Sequence, residues 1–163
     1  MQPAAGTAPP TYRGVLHASR LLIYVTAALS LFAGYIHVAY VDSHLREWWG
    51  YGAFFIAAAN LQVLFAALLV RWPRRWLPYA GIAGNLAIIG MYVVTRTSGI
   101  PIGPHRRVVE EAGATDWLTT AAQVGIILAL LAMLEGRPRR WIINGLLALG
   151  VLAWALRLTG HLQ

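Results

Sequence analysis

The chain has 163 residues, of which 58% are hydrophobic and only 12% charged, with no cysteine and a formal net charge of +7. A soluble domain carries about 25% charged residues, so this composition points away from a water-soluble fold. The lack of cysteine removes disulfides, thiolate metal sites and cysteine nucleophiles from consideration.

Residues 1–19 are rich in Ala, Pro, Gly and Thr and lack the apolar content to fold, so a disordered cytoplasmic tail is expected there. Five apolar runs follow, near residues 21–41, 48–70, 77–96, 116–134 and 141–159. A helix needs roughly 20 apolar residues to cross a bilayer core of ~30 Å. The expected fold is therefore all-α: a polytopic membrane bundle of five transmembrane helices forming one domain over residues 20–163. The first run is too long for the apolar region of a signal peptide, and no small-residue cleavage site follows it, so it is expected to be retained.

The flanks of the runs orient them. With the first helix starting in the cytoplasm, the inner segments hold eight arginines (Arg13, Arg20, Arg71, Arg74, Arg75, Arg137, Arg139, Arg140) and one acid, Glu135. The outer segments hold Arg46, Arg96, Arg106, Arg107 and Arg157 against Asp42, Glu47, Glu110, Glu111 and Asp116. The positive-inside bias then places the N-terminus inside and the C-terminus outside. The excess charge is explained by lipid topology, and no nucleic-acid partner is needed; the basic inner loops face anionic lipid. Trp48, Trp49, Trp72, Trp76, Trp117 and Trp141 sit at run ends, where an indole keeps its N–H wet. Pro73, Pro78 and Pro138 mark tight inner turns. All thirteen basic residues are arginine, a bias of high-GC coding that points to a bacterial cytoplasmic (inner) membrane.

No charged side chain falls in mid-span. Asn60, Gln62, Asn85 and Gln123 are the mid-depth polar groups, and interhelical hydrogen bonding is the first expectation for each, with a polar binding cavity as the alternative. Asn60 and Gln62 lie about 200° apart on a helix and cannot face one centre. Ala80 and Gly84, four residues apart, mark a seam for close helix approach.

The outer segments concentrate the ligating side chains. In His37-x6-His44-x2-Glu47 two imidazoles and a carboxylate share one stripe if the helix continues, a donor set suited to copper or zinc. His37 and His44 are ~10 Å apart along a helix, so one ion holds both only if the helix breaks; His44 with Glu47 is the better local pair. His105 and Asp116, with Glu110 and Glu111, complete the candidate metal set of His37, His44, Glu47, His105 and Asp116. The competing reading has His44 and Glu47 capping a wet turn and His37 bonding a neighbouring helix.

The outer loop, 97–115, opens with alternating Gly and Pro. It is expected to form a short helix from Pro104 to Gly113, with Arg106–Glu110 and Arg107–Glu111 paired at i,i+4, and to fold over the bundle mouth as a lid. Thr115 or Asp116 is expected to cap the helix that follows.

No Gly-x-Ser-x-Gly, His-Glu-x-x-His or phosphate-loop motif occurs, and the adjacent residues Asp42-Ser43-His44 point apart on a helix, so no catalytic residue is assigned. Three functions follow: a protein binding a transition metal or small ligand at an extracytoplasmic His/carboxylate mouth; a structural or accessory subunit with membrane-protein partners or further copies of itself; and a redox protein holding haem between histidines such as His37 and His161.

The stretches Gly34-Tyr35-Ile36-His37, His44-Leu45-Arg46-Glu47-Trp48-Trp49-Gly50-Tyr51-Gly52-Ala53-Phe54-Phe55, Gln62, Gly84-Asn85 and Thr95-Arg96-Thr97-Ser98-Gly99-Ile100-Pro101-Ile102-Gly103-Pro104 together resemble small multi-span bacterial membrane proteins of high-GC organisms. That resemblance covers about residues 20–134 and implies a membrane bundle, but no activity and no catalytic residue. Length and tryptophan content are similar to tryptophan-rich sensory proteins, but the Trp-x-Pro-Pro and Asn-x-x-Trp elements of that family are absent.

Overall fold

The computed structural model describes residues 20–158, without the side chains of positions 153 and 156–158. The expected tail at 1–19 and His161 of the haem alternative lie outside the described residues.

Among the described residues the chain is all-helical: α1 (Arg20–Ala39), α2 (Val41–Glu47), α3 (Trp49–Arg71), α4 (Leu77–Thr97), α5 (Ala114–Met133) and α6 (Gly136–Leu158). α1, α3, α4 and α5 are long and apolar enough to cross a membrane. They match the first four apolar runs, with each end shifted by two residues or fewer. The fifth run falls on α6, apart from residue 159, which is not described.

The breaks have local causes. The backbone leaves helical geometry at Tyr40 (φ −100°, ψ 0°) and again at Trp48, which is extended (φ −169°, ψ 137°). α2 is therefore a separate two-turn piece, and the continuous stripe expected from His37 to Glu47 is interrupted. α2 folds down on α3 so closely that a Cβ on Gly52 would overlap the Leu45 side chain. Pro78 opens α4 in its first turn, where the missing N–H breaks no hydrogen bond. Gly136 turns the chain between α5 and α6 at φ +70°, a conformation open to glycine without steric cost.

α1 packs along α3 on one side and α5 on the other, α4 packs on α5, and a shorter α3–α4 seam closes the ring of four. The ring has three levels. Where α4 begins and α5 ends, Ile82, Ile126, Ile127, Leu130, Leu131, Met133 and Leu134 form a buried apolar core. Gly81 lets this end close, since a Cβ there would lie 2.5 Å from Phe65 and 2.6 Å from Leu130. The expected Ala80/Gly84 seam is not the one used: both residues are exposed, and nothing approaches within 4 Å of where a Gly84 Cβ would sit. One residue of helix rotation separates the two faces.

At the middle level, buried Ser30, Gln62 and Asn85 link α1, α3 and α4. Ser30 donates to the Gln62 carbonyl at 2.9 Å and to the Gln62 side-chain oxygen. Asn60 faces outward and donates to the Ile56 carbonyl of its own helix at 2.7 Å. At the third level, where α1 and α4 end and α3 and α5 begin, the ring holds a cavity.

The exterior is apolar: Leu21, Leu61, Leu64, Trp117 and Leu128 are all more than half exposed. A soluble monomer rarely shows such a surface, whereas lipid solvates it without cost. α6 leans on the core through Ile142, Ile143 and Leu146. Beyond them Leu147, Leu149, Val151, Leu152 and Trp154 are exposed.

Candidate functional site

The cavity encloses about 380 Å³, within the range of small-molecule sites. Its walls are mostly apolar and aromatic: Ile36, Trp48, Tyr51, Phe54, Phe55, Ile88, Met91 and Tyr92, with Thr119 and Thr120 from α5. It is reached at the end bearing the 98–113 loop, and Gln123 on α5 marks its depth, roughly 14 Å below the start of that helix at ~1.5 Å per residue.

His37 and Gln123 line this cavity and are 4% and 1% exposed. Neither ring nitrogen of His37 has a hydrogen-bond partner among the described residues, and neither does Nε2 of Gln123. Both residues are also shielded from water by their neighbours. The His37 ring meets Phe55 edge-on, with centroids 5.5 Å apart and planes at 75°. His44 stacks on the same phenyl ring at 3.9 Å and 25°, so Phe55 contacts both imidazoles. His44 Nδ1 donates to the Tyr40 carbonyl at 2.8 Å, which fixes its tautomer and turns the ring inward from α2.

The rim is held by Arg96. Its Nη2 donates to Asp116 Oδ2 at 2.7 Å, and its Nη1 donates to Thr95 Oγ1 at 3.0 Å and to the Glu110 carboxylate. The guanidinium lies over the Tyr92 ring at 5.0 Å, while Nε is buried without a partner among the described residues. Asp116 Oδ2 also accepts the Gly113 N–H at 2.8 Å, capping α5 from its third position while Gly113 serves as the N-cap. One carboxylate thus caps a helix and binds the arginine.

The loop closes one wall. Glu110 N–H donates to the Thr95 carbonyl at 3.0 Å, and Tyr51 Oη donates to the Ile102 carbonyl at 3.2 Å. Tyr40 Oη donates to Thr115 Oγ1 at 3.0 Å, tying the end of α1 to the start of α5. Gly103 turns at φ +88° directly against Tyr51. Ile100, Ile102 and Glu110 line the cavity, which makes the loop a wall of the site.

The short helix expected from Pro104 to Gly113 does not form. The segment is a turn followed by irregular chain, and Arg107 sits at φ +58°, which no continuing helix permits. The expected pairing changes with it: Glu110 binds Arg96, and Arg106 Nε donates to the Pro101 carbonyl at 3.1 Å.

Of the five residues expected to ligate a metal, His37, His44 and Asp116 line the cavity. Glu47 and His105 are exposed and do not line it. Among the described residues no group of three His, Asp or Glu side chains is arranged to hold a metal ion. The sequence reading named Gln123 without assigning it to the site, and it did not name Phe55, Tyr92 or Arg96 as site residues. The available signal was Arg96 itself, a cation at the end of an apolar run with aromatic Tyr92 one turn before it.

The bundle belongs to the class of helical proteins built for an apolar solvent, with a ligand-sized cavity at one end. Comparison with family models, with curated proteins and with solved structures finds no match to this chain.

Proposed function

We propose that this chain is an integral membrane protein of five spans, with its N-terminus cytoplasmic, that binds a small organic ligand in the cavity at the outer end of the bundle. The observation that carries the reading is that His37 and Gln123 are both buried, both line one apolar cavity, and both have nitrogens without partners among the described residues. A buried polar group without a partner costs about 1–3 kcal/mol. A ligand that supplies partners recovers that cost and displaces no competing protein bond. The arginine distribution supports the orientation, and the fifth span rests on the apolar run at 141–159 in the sequence, since α6 is not among the four described helices apolar enough to cross a membrane. A small molecule suits the site better than a metal ion, because Asp116 is engaged by Arg96 and by Gly113, while Glu47 and His105 lie off the lining.

Native mass spectrometry of the purified protein tests this. The wild type is expected to carry a bound small molecule at one per chain, and Thr120→Phe, which fills the cavity from α5, is expected to lose it. Equal occupancy in both proteins, or an empty wild type, contradicts the reading.

A second reading, an accessory subunit of a larger membrane complex, draws on the exposed apolar residues of α6 from Leu147 to Trp154. Co-purification of a stoichiometric partner in mild detergent, abolished by polar substitutions at Leu149 and Leu152, supports it.

A further inference from the structure

At the cavity rim one guanidinium faces two carboxylates, which leaves the rim net negative. Both terminal nitrogens of Arg96 are taken by Glu110 and Asp116, and Asp116 is further bound by the Gly113 N–H. An anion is therefore repelled at the rim, and a cation brings no acceptor for the unpartnered donors of Gln123 and Arg96. Among the described residues the unmet hydrogen-bonding capacity deep in the cavity is neutral, in the amide nitrogen of Gln123; it recurs in the imidazole of His37, two residues before the end of α1, and at the rim in Arg96 Nε. Gln123 Nε2 and Arg96 Nε are donors only. Two unpartnered donors thus stand at two levels of the cavity.

The spacing of those levels follows from α5. Asp116, which binds Arg96, precedes Gln123 by seven residues, so the two lie on one stripe and roughly 10 Å apart along the axis. A flat ring with an acceptor at each edge, making hydrogen bonds of ~2.9 Å at both ends, bridges a gap of that order. Phe55, Tyr92 and Trp48 supply ring faces for it to pack on.

Resting on the small-ligand reading, we propose that the ligand is a neutral ring compound with carbonyl acceptors on opposite edges, the chemistry of a quinone head group, bound with one carbonyl toward Gln123 and the other toward Arg96, and with His37 on the wall beside it. This chemistry reaches the site either as a tailed quinone from the lipid or as a free small quinone. His37 and Gln123 are positioning residues in this account, and no electron transfer is assigned to them.

The test is thermal unfolding of the full chain in detergent, titrated with three probes: a decyl-substituted benzoquinone, the same ring without the tail, and decylbenzene, which has the tail and ring without carbonyls. A ligand that binds only the folded state raises Tm with its concentration. The decyl quinone is expected to saturate and to bind about tenfold more tightly than decylbenzene, the difference one or two neutral hydrogen bonds supply. Gln123→Leu removes an unpaired polar group, so it is expected to fold, to lose about tenfold in quinone affinity and to keep its decylbenzene affinity. Tighter binding of the tailed quinone than the tailless one assigns the supply to the membrane, and equal binding assigns it to free quinone; both support the proposal. Equal affinity for decyl quinone and decylbenzene, unchanged by Gln123→Leu, overturns the carbonyl assignment and leaves the apolar cavity standing. Absence of binding by all three probes overturns this proposal, and the small-ligand reading stands or falls separately on the native mass spectrum.

Discussion

Gln62 on α3 donates from Nε2 to Oδ1 of Asn85 on α4 at 3.1 Å, with both side chains buried. Asn85 in turn donates to the Gly81 carbonyl at 2.8 Å. With Ser30 on α1, the two amides form a polar rung between the packed core and the cavity. Helix association in lipid gains little from the hydrophobic effect, so such a rung fixes which faces meet.

Asn85→Leu leaves the Gln62 amide without its acceptor in an apolar setting. The expected loss is about 1–2 kcal/mol of bundle stability. Gln62→Leu with Asn85→Leu is expected to recover part of it, because both amides then go together and Ser30 keeps the Gln62 carbonyl. Denaturant unfolding of the three variants in micelles measures the recovery, and a double variant as unstable as the sum of the singles contradicts the pairing.

Gly81→Ala pushes a methyl into Phe65 and Leu130 and is expected to cost about 1–3 kcal/mol. Gly84→Ala meets nothing and is expected to be neutral or to stabilise by up to about 1 kcal/mol through helix propensity. Melting temperatures of the two variants should move in opposite directions or differ by several degrees.

Arg96→Met removes both carboxylate partners from the rim. Glu110 is half exposed, so its ion pair contributes less than about 1 kcal/mol. The less exposed Asp116 arm contributes about 2 kcal/mol as a charged hydrogen bond. The 98–113 loop is then expected to loosen, and trypsin is expected to cut faster at the exposed Arg106 and Arg107. Glu110→Gln should give a smaller rise. Equal cleavage of wild type and Arg96→Met would show that the arginine does not hold the loop.

The absence of cysteine makes orientation testable without background. His105→Cys is expected to react with an impermeant maleimide in intact cells, and Arg74→Cys only after the membrane is opened. The reverse pattern would invert the bundle.

The sequence made the helices legible and left their faces hidden. Apolar run length, with Trp and Pro at the flanks, marked α1, α3, α4 and α5 to within two residues. Facing was not readable from hydrophobicity, because lipid and bundle core are equally apolar; that is why Gly84 looked as suited to a seam as Gly81. Polar residues carried more facing information. Gln62 and Asn60 were separated correctly by their angular offset, one buried and one exposed. The rim was misread because local pairing rules favour Arg106 with Glu110, whereas Arg96 reaches Glu110 and Asp116 across fourteen and twenty residues. No local pattern announces such contacts. His37 and His44 both line the cavity, and Phe55, which contacts both rings, joins them from another helix.

A structure of the protein purified from its native membrane tests the central claim most directly. The account predicts continuous non-protein density in the cavity, within hydrogen-bond reach of Gln123 and His37. A cavity closed by the inward movement of Phe55, or filled only by ordered water, would contradict it.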